Sequence, residues 1–414
     1  MFSAGFGIYY DQALKSAIFR HDSARPFFTR AVRTNFDASS FFPDPLSATV
    51  GLPGEVRGLD FQNTTIPTVL RYNFGIQRSV PGGWRLRATY VGARGNHLYR
   101  SYEANLYPIP IVRADGKLFF PDDCDAPEPS DFCQPGASKG LNPAFSSGIL
   151  LNNSDAQSFY NALQLSANKS LSGGLSLQAS YTFSKSVDDA SDTFENAQYP
   201  YLRTLNRGPS NFDIRQRLVL NYFYSLPFGS GRSWATSGIL SKMFGGWRLG
   251  GIFSVRTGTP FTATVKVRNP GFLFAANRPN LIAGQSNNPT SGVSVGCAAV
   301  EAGRELRAPD LYFDPCVFQV PEPGTLGNVG RNTLIAPTVL RVDLSVQREF
   351  RVDAQRRLQF RAEFFNLPNH TNFGRVSSGV FTGVGEGRFN PSAGRISSTN
   401  TTSRQVQFAL RLTF

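Results

Sequence analysis

An all-β, antiparallel fold of the transmembrane β-barrel class is what this 414-residue sequence predicts. Three observations lead there. Hydrophobic residues recur at every second position over segments of about 10–13 residues, which suits a tilted strand across a bilayer better than a strand of an ordinary sheet. Short and long connections alternate between those segments, as they do in outer-membrane barrels. The composition, with 36 Phe, 39 Gly, 27 Pro and only 2 Met, is rich in strand and turn formers and poor in helix formers. A content of 41% hydrophobic and 13% aromatic residues excludes a disordered chain. No stretch approaches the ~18 consecutive apolar residues of a membrane-spanning helix, so a helical membrane protein is excluded too.

The chain opens on an alternating segment, 2–10, running from Phe2 to Tyr10. It has no charged n-region, no continuous apolar h-region and no small-residue cleavage site. For an exported protein the expectation is therefore a fragment, or a misplaced start. Segment 26–34 comes next and is the weakest candidate, because Pro26 and Arg30 interrupt its pattern. Segments 69–79, 84–93 and 157–170 alternate less regularly than those that follow. In 175–187, Leu175, Leu177, Ala179, Tyr181 and Phe183 alternate with Ser176, Gln178, Ser180, Thr182 and Ser184. In 213–226, Leu218, Leu220, Tyr222 and Tyr224 oppose Arg215, Arg217, Asn221 and Ser225. After 246–258 comes 338–350, with Leu340, Val342, Leu344 and Val346 against Arg341, Asp343, Ser345 and Gln347. Segment 356–367 sets Leu358, Phe360, Ala362 and Phe364 against Gln359, Arg361 and Glu363. The last, 403–414, sets Val406, Phe408, Leu410, Leu412 and Phe414 against Gln405, Gln407, Ala409 and Arg411. This makes about eleven strands.

Pro81-Gly82-Gly83, Ser172-Gly173-Gly174 and Val352 to Gln355 are tight turns, with 227–245 the one extended member of that series. Segments 94–156, 188–212, 259–337 and 368–402 are long. Counting back from Phe414 in the periplasm puts every short turn there and every long segment outside the cell. Arginines at 71, 85, 87, 215, 217, 248, 256, 341, 361 and 411 (Arg71, Arg85, Arg87, Arg215, Arg217, Arg248, Arg256, Arg341, Arg361, Arg411) fall on the polar faces. Each would cost about 2–4 kcal/mol at a bilayer midplane. They are expected to face a lumen, with Leu, Phe, Tyr and Val turned to lipid.

Several stretches resemble one known family. They include Gly5-Phe6-Gly7-Ile8-Tyr9-Tyr10-Asp11, Tyr90-Val91-Gly92-Ala93-Arg94-Gly95-Asn96-His97-Leu98 and Tyr160-Asn161-Ala162-Leu163-Gln164-Leu165. Tyr181-Thr182-Phe183-Ser184-Lys185-Ser186-Val187-Asp188-Asp189, Asp213-Ile214-Arg215-Gln216-Arg217 and Gly246-Trp247-Arg248-Leu249-Gly250-Gly251 continue the series. Thr257-Gly258-Thr259-Pro260-Phe261 and the run from Phe360 to His370 complete it. In this order they resemble the carboxy-terminal part of an Oar-like TonB-dependent outer-membrane transporter. The resemblance implies a 22-stranded barrel closed by a plug, of which residues 1–414 form about the carboxy-terminal half. The signal peptide, the plug, the TonB-contacting segment and the first half of the barrel are not in this sequence. It further implies binding and energised uptake of a solute by the whole protein, with the TonB complex reached only through the missing amino-terminal part. The closing strand, with Phe408, Leu410, Leu412 and Phe414, resembles the signal read by the barrel-assembly machinery; the plainer alternative is an ordinary last strand.

Other features point to no chemistry. Cys124, Cys133, Cys297 and Cys316 all lie in long segments without metal-ligand spacing. Local pairing, Cys124 with Cys133 and Cys297 with Cys316, is the simplest of three connectivities and fits an oxidising compartment; four free thiols are the alternative. Asp122, Asp123, Asp125, Glu128 and Asp131 crowd one loop without EF-hand spacing, so a solvated acidic loop is expected in place of a Ca²⁺ site. Gly383, Gly385 and Gly387 do not link a strand to a helix, which removes the nucleotide-binding interpretation. His21, His97 and His370 stand apart from any nucleophile pattern, so no enzymatic activity and no cofactor are expected. The net charge of +13 is spread along strand faces, which speaks for a lumen that favours anions and against nucleic acid. Arg94 and Arg100 are candidates for contact with lipopolysaccharide phosphates. Two alternatives stand beside transport: a structural or adhesive outer-membrane barrel whose loops bind surfaces, and a soluble all-β binding domain.

Overall fold

The computed structural model describes residues 1–11, 56–60, 62–105, 110–121, 149–192, 195, 197–265, 277–353, 355–382 and 387–414. Ten long strands follow one another in a single antiparallel sheet: β1 (Phe2–Tyr10), β2 (Thr68–Val80), β3 (Trp84–Glu103), β4 (Ile149–Ser172), β5 (Leu175–Asp188), β6 (Gln216–Ser225), β7 (Trp247–Arg256), β8 (Val339–Arg351), β9 (Arg357–Phe365) and β10 (Gln405–Thr413). Each pairs with its neighbours in the chain. Two short strands join the same sheet, Val56–Leu59 parallel to the start of β4 and Gly208–Pro209 against the end of β5. The path has β1 and β10 at its two ends, and the described residues do not close it into a ring.

Ten of the eleven expected strands are therefore present. The strand expected at 26–34 lies outside the described residues, and β1 and β2 pair directly from Phe2↔Ile76 to Tyr10↔Thr68. The connection 11–67 joins the long series, and long and short connections alternate along the sheet, with 226–246 the one extended member of the short series.

Two strands exceed their expected bounds. β3 continues beyond 93 to Glu103, and β4 begins at Ile149, ahead of 157. The added residues pair with each other past a bulge after Gly95, where His97 takes a positive φ of 56°. Their sequence lacks period two because this part of the wall has no single apolar face to present, so alternation could not reveal it.

Register sets the faces. Directly paired residues share a side of a sheet. Leu177, Tyr222, Gly251, Leu344, Phe364 and Val406 stand in one row across six strands. Arg248, Gln347, Arg361 and Ala409 make a row on the opposite side. The apolar side is not packed away: Phe6 is 69% exposed, Phe183 47% and Leu410 72%. A soluble sandwich would bury this face against a second sheet. At one edge of the apolar side stand Trp84 with Lys169, and Trp247 with Arg348 and Phe350. At the other, Tyr90 and Tyr72 direct their hydroxyls to Asn161 Oδ1, at 2.7 and 3.4 Å. A single α-helix occurs among the described residues, α1 (Gly238–Phe244), between β6 and β7; no described helix is long and apolar enough to cross a membrane.

Candidate functional site

The hydrophobic core sits in the long connections and not in the sheet. The described residues of 257–338 and 366–404 fold together around Phe313, Val317, Phe318, Val329 and Leu334 from the first and Val376, Val380, Phe381 and Ile396 from the second. A parallel pairing of Thr264–Val265 with Gly379–Phe381 stitches the two connections. Cys297 is joined to Cys316 by a disulfide, with Cα atoms 5.5 Å apart, beside Val300 and Leu311. Asp314, 2% exposed, accepts from Cys316 N at 3.0 Å, Ser294 Oγ at 2.9 Å and Val295 N at 2.7 Å, so its buried charge is fully hydrogen-bonded. Together these segments make a roof with its own interior.

Two buried arginines fasten the roof, one to the end of β5 and both to the connection that follows it. Arg331 donates from Nη2 to Asp188 Oδ1 at 2.6 Å and from Nε to Glu195 Oε1 at 2.5 Å. Its Nη1 donates to the carbonyls of Asn206 and Asp188 at 3.0 and 3.1 Å. Arg278 donates from Nε to Gln198 Oε1 at 2.5 Å and from Nη2 to Leu205 O at 2.8 Å. Burial, and after it the nearby Arg331 charge, lowers the Arg278 guanidinium to about 10, still cationic at neutral pH. Burial also disfavours the Arg331 charge, but hydrogen bonding and attraction from Glu195 and Asp188 outweigh it and the net shift is upward. Asp188 ends β5 opposite Ser158, on the polar side of the sheet, so the roof is held at the long-connection end of that side.

The long-connection end of the wall has its own ion pair. Arg100 grips Asp155 with two bonds, Nε to Oδ1 at 2.5 Å and Nη2 to Oδ2 at 2.7 Å, and also donates to Pro200 O. Tyr102 follows, its hydroxyl donating to Asp60 Oδ2 at 3.3 Å. Burial, then the charge of Asp60, pushes the Tyr102 phenol up to about 12. Its ring begins an edge-to-face series through Tyr201 and Tyr199 to Phe120.

The expected site residues fall as follows. Arg71, Arg85, Arg87, Arg217, Arg248, Arg256, Arg341, Arg361 and Arg411 share the polar side by register, and Arg215 continues the β6 row one residue before the strand. Arg341 and Arg361 reach Asp343 and Glu363 on their own strands, at 2.8 and 3.4 Å. Arg71 lies 5.2 Å from the ring centroid of Tyr9. Phe408, Leu410 and Leu412 lie on the apolar side, and Phe414 is 92% exposed beside them. Arg100 is a correction. It is 6% exposed and committed to Asp155, so it is not available to lipopolysaccharide. Arg94 is exposed, on the apolar side near the long-connection end, where it and Arg207 each stand 5.1 Å from the Phe159 ring centroid. Cys124, Cys133, the acidic residues 122–131, His21, Gly383 and Gly385 lie outside the described residues. Among the described residues no cluster of His, Cys, Asp and Glu is arranged to hold a metal ion.

Arg331, Arg278, Asp188 and Glu195 were not singled out from the sequence. The one signal available was the run Phe313-Asp314-Pro315-Cys316-Val317-Phe318, too apolar for a solvated loop.

A family model described as an outer membrane beta barrel domain matches residues 1–407. No curated protein matches the chain. Similar solved structures include the outer membrane transporter YddB from Escherichia coli, at 10% identity over 100% of this chain and 38% of that one, with a TM-score of 0.46. The ferric-catecholate import receptor Fiu from E. coli K12, in a closed form, matches at 8% identity over 100% of this chain and 32% of its own, with a TM-score of 0.39. The pyoverdine outer membrane receptor FpvA from Pseudomonas aeruginosa PAO1, bound to pyoverdine, matches at 10% identity over 85% and 30%, with a TM-score of 0.36. The chain thus spans about a third of the length of these structures.

Proposed function

Because this chain belongs to the outer membrane beta barrel domain family and resides in the outer membrane, we propose that it is the carboxy-terminal half of an Oar-like, TonB-dependent transporter barrel. The whole protein binds a solute outside the cell and takes it up with energy delivered through TonB. The apolar side meets lipid. From Trp84 to Arg94, a strand rising about 3.4 Å per residue and tilted about 40° climbs about 25 Å, the height of a barrel's apolar band. The polar side, with its arginines, lines the lumen and favours anionic solutes. Long connections lie outside and short turns in the periplasm, and the exposed strand β10 with Phe414 is the segment offered to the assembly machinery.

One observation carries the proposal: a polar, arginine-bearing wall that ends in a structured roof fastened by Arg331 and Arg278. A roof with its own core and disulfide presents a shaped, ordered surface at the lumen's entrance, which suits selective capture. The adhesive alternative uses the same roof for contact with surfaces. The test uses the full-length protein in its native host. Loss of that protein and loss of TonB are each expected to abolish accumulation of the same small solutes from the medium, followed by untargeted mass spectrometry. Intact uptake with reduced surface attachment would decide for adhesion.

A further inference from the structure

We propose that the connection between β6 and β7 is a membrane-surface anchor, with α1 lying in the bilayer interface at the short-turn rim of the barrel and phospholipid as its partner. This rests on the apolar side of the sheet being the lipid side.

A hairpin needs as few as two residues to reverse the chain. The other short connections stay close to that limit, at 81–83, 173–174 and 352–356, whereas this one spans 226–246. The extra residues are apolar and uncovered: Trp234 is 65% exposed, Ile239 75%, Leu240 59%, Met243 57% and Phe244 50%. Within α1, positions 239, 240, 243 and 244 form one stripe at helical spacing, with Gly238, Ser241 and Lys242 on the other side. Ser241 is the residue turned partly inward, so the apolar stripe points away from the protein.

The helix is attached to one particular side of the wall. Trp247 Nε1 donates to Met243 O at 3.0 Å, and Arg348 Nη1 donates to the same oxygen at 2.9 Å while its Nη2 donates to Lys242 O. Trp247 and Arg348 are paired across β7 and β8 on the apolar side. The Arg348 guanidinium also lies over the rings of Trp247 and Phe350, at 5.6 and 4.5 Å from their centroids. A cation thus meets the last carbonyls of the helix, where it complements both the orphan acceptors and the dipole. Aromatic and basic residues at the end of an apolar band mark the level of the headgroups. The helix is therefore bonded to the residues that mark the membrane surface, and its free stripe continues the apolar side outward.

Close packing keeps it there. Gly245 N donates to Ser241 O at 2.9 Å. A Cβ at Gly245 would collide with that oxygen and crowd the Cα of Gly229, so the turn carrying Phe228 and Trp234 rests on the end of α1. Arg232 and Lys242 are exposed in the same segment and available to lipid phosphates. Lipid is favoured over a periplasmic protein because the apolar stripe is continuous with the lipid side and is edged by cations.

The experiment places the photo-crosslinker p-benzoylphenylalanine at Leu240, and separately at Met243, in the full-length protein in its own membranes. Leu410 on β10 serves as the lipid-side reference and Gln355, exposed in another short turn, as the water reference. Only the heat-modifiable, folded fraction is digested and weighed. A shift of one phospholipid mass is expected on the peptides carrying positions 240, 243 and 410, and none on that carrying 355. A protein adduct at 240 and 243 overturns the proposal in favour of a periplasmic partner. A lipid adduct at 410 with none at 240 or 243 overturns it in favour of water. No lipid adduct at any position, including 410, overturns the assignment of the lipid side itself.

Discussion

Arg331 and Asp188, 143 residues apart in the chain, meet at 2.6 Å with side chains only 6% and 2% exposed. This contact ties the roof, through the connection before β8, to the end of β5. Removing one partner of such a pair leaves a buried charge alone, at a cost of about 3–5 kcal/mol. Arg331→Ala is expected to release the roof without dissolving the barrel. Limited proteolysis within 257–338 should accelerate while heat-modifiability persists. Adding Asp188→Asn should restore part of the protection, because the stranded carboxylate is then gone.

On β10, Leu410 and Arg411 are neighbours with opposite tasks, one 72% exposed on the apolar side and the other on the polar side. Leu410→Arg is expected to cost about 2–4 kcal/mol if the site lies near the midplane, and Arg411→Gln close to nothing. Deleting Phe414 should instead reduce the amount of inserted protein before stability matters. The quantity to measure is membrane-inserted, heat-modifiable protein for each variant. Equal, wild-type insertion of Leu410→Arg and of the Phe414 deletion would contradict both assignments.

Orientation is open to a direct check. Asn287 is exposed in the roof and Val352, 59% exposed, sits in a short turn. With a membrane-impermeant thiol reagent on intact cells, Asn287→Cys should gain label above the wild-type level. Val352→Cys should label only after the outer membrane is permeabilised. The opposite pattern would invert the topology.

Arg94 and Arg207 each stand 5.1 Å from the Phe159 ring centroid, close to the long-connection edge of the apolar band. We propose that these two exposed guanidiniums offer charge-assisted hydrogen bonds to phosphate groups of the surrounding lipid. Arg94→Ala with Arg207→Ala is expected to lower the lipopolysaccharide retained per purified full-length protein, quantified by mass spectrometry, with folding unchanged. Undiminished retention would exclude these two residues.

Tyr102 is expected to make the long-connection end of the wall sensitive to alkali. It lies above the apolar band, and its folded value of about 12 exceeds the ordinary 10.0. The folded state therefore holds the proton more tightly than the unfolded one, so its contribution is complete below pH 10 and is lost as pH rises through about 12. Hydrogen exchange in 97–103 and 149–156 should quicken over that window in the wild type. In Tyr102→Phe the same segments should show a smaller dependence on pH.

The sheet was legible in the sequence because its physics is local. Each strand must offer lipid every second side chain, so Leu175 to Phe183 and Val406 to Phe414 declare themselves without knowledge of their partners. The roof was not, because its physics is distant. Arg331 is one of many basic residues in the chain, and nothing near it in sequence names Asp188 or Glu195. The outer halves of β3 and β4 were hidden for a third reason. They pair outside the apolar band, where hydrogen bonding holds a strand without any alternation of side chains. Arg100 was misread on the same ground: a long segment between alternating strands was equated with solvent exposure.

Apart from register shifts near Gly95–Arg100 and Lys169–Ser172, the pairing of faces runs from Phe2 and Ile76 to Leu358 and Leu412. It sets a rule for how the gene can change in length. One codon inserted or lost within the band exchanges the two sides of a strand up to its next turn, setting arginines against acyl chains and phenylalanines against water. Single-residue insertions and deletions are therefore expected to be purged from the strands and to accumulate in connections such as 257–338. The odd residue that β3 does accommodate, at His97, falls above the band, where neither side is lipid.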